Sequence, residues 1–300
     1  NAGGMLEKVR QVMANLTSQH PRDIKIQDLL AVDTFTPQKV RGGLANEFSQ
    51  ENAVGIAAMV KADRLQMEAI AREFAQQIGV PVVEADMAIR GALTTPGTNK
   101  PLAILDMGAG STDASIINAE GQIHSIHLAG AGNMVTLLIQ SEMGLPDFDT
   151  AEDVKKYPLA KVESLFHIRH ENGTVEFFQQ PLDPNLFAKV VILKEGKLLP
   201  LEGDWSMEKI RLIRQQAKQK VFVTNAIRAL TRVSPTGNVR DIQFVVLVGG
   251  SALDFEVPQM VTDALSQYKV VAGRGNIRGT EGPRNAVATG LVLSLTEGRG

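Results

Sequence analysis

The 300-residue sequence contains no cysteine, which excludes disulfides and thiolate zinc sites and fits a reducing compartment. Aromatic residues make up 5%, with one Trp and two Tyr, too few for a platform that stacks sugars or bases. No apolar run approaches the roughly 18 residues needed to span a bilayer, and no charged-then-apolar leader opens the chain, so a soluble protein is expected. A dominant charge sign is missing too. The 31 basic and 33 acidic side chains leave a net charge of −2 and a pI near 6.3, giving no basic field for nucleic acid or anionic membrane. What is present is 44% hydrophobic residues and 27 glycines, enough for one large or two medium domains with real cores.

One stretch, Pro101 to Asn118, organises the rest. An apolar run, Leu102 to Leu105, ends in a lone carboxylate at Asp106; a turn punctuated by Gly108 and Gly110 follows, then a Ser/Thr-rich run closing on Ile116 and Ile117. The pattern reads as a β-hairpin around a backbone-rich turn. Two glycines let successive N–H groups converge on one point, and Ser111 and Thr112 add hydroxyls, a combination suited to phosphate. Asp106 and Asp113 would repel phosphate alone, but make sense if a hydrated Mg²⁺ sits between them and a nucleotide. An ordinary hairpin with acidic turn residues explains the same string without a ligand. A second glycine turn, Gly249-Gly250-Ser251, follows the apolar strand Ile242 to Val248. It would let a flat ring or ribose approach the backbone, and a plain strand-to-helix turn is its alternative.

Periodicity frames these turns. Met5, Leu6, Val9, Val12, Met13 and Leu16 mark a short amphipathic helix, and Pro21 to Gly43 reads as mixed strand and loop. Ala53 to Val60 is a strand, Asp63 to Ile78 a helix with an apolar stripe, and Val80 to Val83 a strand. Ala85 to Leu93 is a helix whose Ala88, Gly91 and Ala92 suit close packing against another helix. Gln122 to Leu128 extends the hairpin as a third antiparallel strand, and Gly130-Ala131-Gly132 opens a helix, serving either an anion or a tight turn. His167 to Val175 reads as a hairpin closed at Asn172-Gly173, and Ala188 to Leu193 with Leu198 to Leu201 as a second. Ser206 caps a long helix running to Val233, buried along Ile210, Ile213, Ala217 and Val221, with Arg211, Arg214, Lys218 and Lys220 as a solvated basic face. Pro258 to Leu265 is a helix, Val270 and Val271 a short strand, Gly273-Arg274-Gly275 a turn, and Asn285 to Leu295 the last helix. His124, His127, His167 and His170 lack the further ligands of a zinc site and are expected in surface or core roles. Asn172-Gly173-Thr174 reads as a turn and not a glycosylation acceptor.

Taken in order, Glu84 with its small-residue helix, the Asp106 hairpin, Gly249-Gly250 and Gly282-Pro283-Arg284-Asn285-Ala286-Val287-Ala288-Thr289-Gly290 resemble the motifs of the actin-like ATPases. That superfamily contains actin, the heat-shock chaperone ATPases and the sugar kinases. The resemblance implies an α/β, actin-like (ribonuclease H-like) ATPase fold with a small α+β inserted subdomain. It implies that Asp106 is catalytic and holds the water shell of Mg²⁺, that Glu84 lies near the attacking water, and that Asp113 binds metal or orients the loop. Gly108, Gly110, Ser111 and Thr112 would cradle the phosphates of ATP or ADP, and Gly249, Gly250 and Ser251 would line the adenosine pocket. Lys218, as a contact to adenine or ribose, is set aside because the register of its helix is open.

Narrower strings resemble the large subunit of the diol and glycerol dehydratase reactivating factors: Leu65-Gln66-Met67, Ala92-Leu93-Thr94-Thr95-Pro96-Gly97, Ser251-Ala252-Leu253-Asp254-Phe255-Glu256-Val257-Pro258 and Arg274-Gly275-Asn276-Ile277-Arg278-Gly279. This resemblance implies a chaperone-type ATPase that reactivates adenosylcobalamin-dependent diol or glycerol dehydratase by nucleotide-gated subunit exchange and release of damaged cobalamin. Its implied partners are the small (beta) subunit of the factor and the dehydratase, with no nucleic acid and no membrane. Its implied location is cytoplasmic, in association with a bacterial microcompartment. The expected division is 1–47 as the tail of a swivelling insert and linker, 48–98 as the second part of a first ATPase lobe, 99–145 with 236–300 as a second lobe, and 146–235 as the inserted subdomain. No strand with a first metal Asp and first phosphate loop precedes Ala53, so the chain resembles the carboxyl-terminal half of the fold, and ATP hydrolysis is expected of the intact protein. The alternatives are a sugar-kinase-like phosphotransferase, for which no sugar-cleft motif is found, and a filament-forming actin relative.

Overall fold

The computed structural model describes residues 7, 10, 11, 14, 20–33, 54–62 and 84–297. The helix and strand expected at 63–83 lie outside the described residues. The chain divides into two compact units, 1–132 with 221–300, and 133–220, whereas the sequence places an inserted subdomain at 146–235.

The first unit is built on a seven-stranded sheet. In chain order its strands are β1 (Ile24–Asp33), β2 (Val54–Ala62), β3 (Leu102–Met107), β4 (Ser111–Ile117), β5 (Ile123–Ala129), β11 (Phe244–Val248) and β12 (Val271–Arg274), and across the sheet they run β1-β2-β5-β4-β3-β11-β12. The β3-β4-β5 meander is antiparallel, whereas β11 lies parallel to both β3 and β12. β3 and β11 are apolar nearly throughout because both of their faces are covered. One face packs on the helices α1 (Glu84–Ala92) and α7 (Ala286–Glu297): Ala88, Ile89, Ala92 and Ala286 close over Leu102, Ile104, Ile117, Val246 and Val248. Helix α5 (Thr224–Val233) packs against β3, β4 and β5, burying Ala226, Ala229 and Leu230. Helix α6 (Val257–Ser266) packs on β12. It starts where Asp254 accepts hydrogen bonds from the amides of Glu256 and Val257, at 2.9 and 3.0 Å, with Pro258 in its first turn.

The close packing expected of α1 is real and reciprocal. A Cβ on Gly91 would fall inside the Ala286 carbonyl of α7, and one on Gly290 inside the Met87 carbonyl of α1. Each helix fills the space that the other's glycine leaves.

The second unit holds an antiparallel five-stranded sheet in the order β10-β9-β6-β7-β8. Its strands are β6 (Leu159–Ser164), β7 (His167–His170), β8 (Val175–Phe177), β9 (Val190–Lys194) and β10 (Lys197–Pro200). With them go helices α2 (Gly132–Met143), α3 (Phe148–Lys156) and α4 (Met207–Lys218). The β7–β8 turn is the expected one: Gly173 has φ +89°, and the Asn172 side chain accepts from the Thr174 amide at 3.0 Å. Ser206 caps α4 by accepting from the Lys209 amide at 3.2 Å. The long helix read from Ser206 to Val233 is three segments, α4, a π turn at Gln219–Val223, and α5, and the change of unit falls within that run.

Two readings are corrected. Arg214 and Lys218 are not part of a solvated face, since both are fully buried. They sit four and eight residues after Ile210 and so share its stripe, and Arg214 is accommodated by the Glu171 carboxylate, with 3.0 Å from Nη2 to each oxygen. Gly273-Arg274 is not a turn but the end of β12, paired with Val246 and Leu247 of β11.

Candidate nucleotide site

The carboxyl ends of β3 and β11 lie side by side, with Val248 paired to Asp106, and both glycine turns leave from there. In the hairpin Asp106 is the cross-strand partner of Asp113, and Asp113 of His127 on β5. Cross-strand partners share a face, so the two carboxylates and the imidazole form one row over β3, β4 and β5, with neighbouring Cβ atoms about 5 Å apart. His127 presents Nδ1 to Asp113 Oδ1, while Ser111 Oγ donates to Asp113 Oδ2 at 3.3 Å. The imidazole, expected in a surface or core role, is half-buried and is the partner of a candidate site residue.

Hydrogen bonds hold the Gly108–Ser111 turn from several sides. The Gly108 amide donates to Ser111 O at 2.9 Å, the Gly130 amide to Gly110 O at 2.9 Å, and the Gly132 amide to Gly108 O at 3.2 Å. Ser251 Oγ also donates to Gly108 O, at 3.0 Å, tying the second glycine turn to the first. Thr112 is fully buried, and its hydroxyl donates to Gly130 O at 3.2 Å; Asn225 Nδ2 of α5 donates to the same carbonyl at 2.7 Å. Gly130-Ala131-Gly132, read as an anion site or a tight turn, thus serves as the strut behind the loop.

The carbonyls are therefore spent inward, and among the described residues the exposed Ala109 and Gly110 amides have no hydrogen-bond partner. A Cβ on Gly110 would meet nothing within 4 Å, and one on Gly108 only Ser111 O at 3.3 Å. The turn faces open space with donors available, which fits an anion.

Gly249 and Gly250 differ in kind. Gly249 has φ +90°, and its Cβ would overlap Asp106 Oδ1 and come within 2.7 Å of Met107 O. It is glycine because the two turns touch. Gly250 would meet only the Arg284 guanidinium, Nε at 3.7 Å, so its open side is the one a ligand could use. Glu84 is carried by a different element, as the first residue of α1.

The structure thus brings Asp106, Gly108, Gly110, Ser111, Thr112, Asp113, Gly249, Gly250 and Ser251 to one end of the sheet. The hydroxyls of Thr112, expected at the phosphates, and of Ser251, expected at the adenosine pocket, each donate to a backbone carbonyl of the protein. Among the described residues no group of three His, Asp or Glu side chains is arranged to hold a metal. Two carboxylates on one face fit Mg²⁺, which keeps most of its water and takes further oxygens from phosphate. Asn225, His127 and Arg284 lie against the candidate site residues and were not singled out from the sequence; only the cross-strand register of His127 with Asp113 carried a signal.

An α/β sheet with a donor-lined turn between two carboxylates fits an ATPase-like domain. The chain belongs to the family described as the diol dehydratase reactivase ATPase-like domain, matched over residues 1–295. It is 67% identical over 298 residues to the diol dehydratase-reactivating factor large subunit of Klebsiella michiganensis, covering 98% of this chain and 49% of that protein. Two solved structures align at 66% identity: a glycerol dehydratase reactivase, with TM-score 0.82 over 99% of this chain and 50% of that one, and a diol dehydratase-reactivating factor in nucleotide-free form, with TM-score 0.81 over 98% and 49%. The chain spans about half the length of the curated relatives it matches. Membership sets it with the reactivases and does not favour the sugar-kinase alternative.

Proposed function

We propose that this chain is the part of a reactivating-factor large subunit that binds ATP or ADP with Mg²⁺, and that the whole protein uses hydrolysis to reactivate an adenosylcobalamin-dependent diol or glycerol dehydratase with a small partner subunit. The observation that carries the reading is the pairing of Asp106 with Asp113 across the hairpin whose turn leaves the Ala109 and Gly110 amides open. Mg²⁺ would supply charge neutralisation at the transferring phosphate and a polarised water. Asp106 would orient the metal's water shell, Gly108–Ser111 would hold phosphate oxygens, and the open side of Gly250 would take the nucleoside. Glu84 as the residue that orients the attacking water belongs to the same proposal. Among the described residues no helix is long and apolar enough to cross a membrane; a cytoplasmic, microcompartment-associated location is a separate part of the proposal and rests on the family resemblance of the sequence.

The test is Asp106→Asn in the full-length protein. The change keeps shape and removes charge, so phosphate release with Mg²⁺ATP is expected to fall by about a hundredfold or more while ADP affinity changes by less than about tenfold. Recovery of an inactivated dehydratase should fall with hydrolysis. Wild-type turnover in the variant would make Asp106 a structural turn residue.

A further inference from the structure

Resting on that nucleotide reading, we propose that Arg284 is this chain's cation for the phosphates of the bound nucleotide. The nine site residues gathered at the end of the sheet contain two carboxylates and no cationic side chain, and His127 is engaged with Asp113. A polyanionic ligand at such a site is held more tightly by a cationic side chain than by amides and a metal alone. Arg284 is placed to be that side chain. Pro283, its neighbour, accepts the Gly249 amide at 3.0 Å, so the backbone carrying Arg284 is pinned to the second glycine turn. From there its guanidinium lies beside Gly250, with Nε and Nη2 at 3.7 and 3.8 Å from where a Cβ would stand. The next residue, Ser251, is the one that bonds to Gly108 O, so one short segment links the nucleoside side at Gly250, where the guanidinium lies, to the phosphate turn. The phosphate nearest the ribose is the one the guanidinium would meet. Arg284 is exposed, and among the described residues it has neither an ion-pair nor a hydrogen-bond partner. A guanidinium pinned at its base and uncommitted at its tip suits a bidentate contact with phosphate.

The experiment uses the full-length protein with ADP as the titrant, in calorimetry at low and at high salt, for wild type, Arg284→Gln and Arg284→Lys. Arg284→Gln is expected to weaken ADP about tenfold or more at low salt, and to flatten the salt dependence, because the screened contact is gone. Arg284→Lys should restore part of both, since it keeps the charge and loses the fork. Unchanged thermal melting of both variants would show that folding is not the cause. Wild-type ADP affinity in Arg284→Gln would overturn the proposal, and so would a loss with undiminished salt dependence, which would mean that the guanidinium stacks on the base. Failure of the wild-type protein to bind ADP at all would instead overturn the nucleotide reading, and the role of Arg284 with it.

Discussion

At the residue scale, the two adjacent glycines of the second turn should respond very differently to the same substitution. Gly249→Ala forces a side chain into a positive-φ position and against Asp106 and the Met107 carbonyl, and is expected to destabilise by about 1–3 kcal/mol or more. Gly250→Ala meets only the end of a flexible arginine and should melt within about 0.5 kcal/mol of wild type, although a valine there should still weaken ADP. Thermal unfolding of the two alanine variants checks the contrast. Glu152 offers a second test. Burial works to raise its pKa, but hydrogen bonds from Lys155, Lys156 and Thr136 outweigh burial and hold it at about 2. A carboxylate depressed in the folded state stabilises fully above its ordinary range near 4.5 and loses that contribution as pH falls towards about 2. Melting temperature should therefore drop across that window, and Glu152→Gln should lower stability at pH 7 while flattening the drop. At this scale the sequence was legible where type and position agreed, as at Asp106 and the loop glycines. It misled where type was allowed to overrule position: Arg214 and Lys218 fall on the apolar stripe by spacing, and only their charge suggested solvent. Arg284 gave no signal, because one arginine inside a string says nothing until the fold brings it to Gly250.

At the scale of elements, hairpins and amphipathic helices were readable because their periods are local. The limits of β3, β4, β5, α1 and the capped start of α4 follow from alternation, turn residues and Ser206. β12 was cut short because Gly273 looked like punctuation, whereas it is a strand residue lying close to the Phe244 ring, 3.9 Å from its Cβ position. The crossing of α1 and α7 was half visible: small residues announced close packing, but not that the partner lay some two hundred residues away. Because backbone occupies the space on both sides, Gly290→Ala is expected to cost at least the roughly 1–3 kcal/mol of an overpacked core. Denaturant unfolding of Gly290→Ala beside the exposed-site control Ala288→Ser checks this.

For the whole molecule, the second unit is a continuous stretch of chain with its own sheet and its own buried cluster around Ala160, Val162, Ile168 and Val191. Residues 133–220 expressed alone should fold and unfold cooperatively, as circular dichroism would show; a featureless melt would mean that the unit depends on the rest. What no local pattern could supply was strand order. β11 announced itself as a buried strand by its apolar run, but its neighbour β3 lies about 140 residues earlier, Val245 opposite Ala103. That separation has a consequence on the ribosome. At roughly 5–20 residues per second, on the order of ten seconds pass between the emergence of β3 and that of its parallel partner. During that interval the edge formed by Ala103, Ile104 and Leu105 is open to any passing strand. Nascent chains stalled near residue 240 should therefore associate with one another or with a chaperone, and chains extended past β11 should stop doing so.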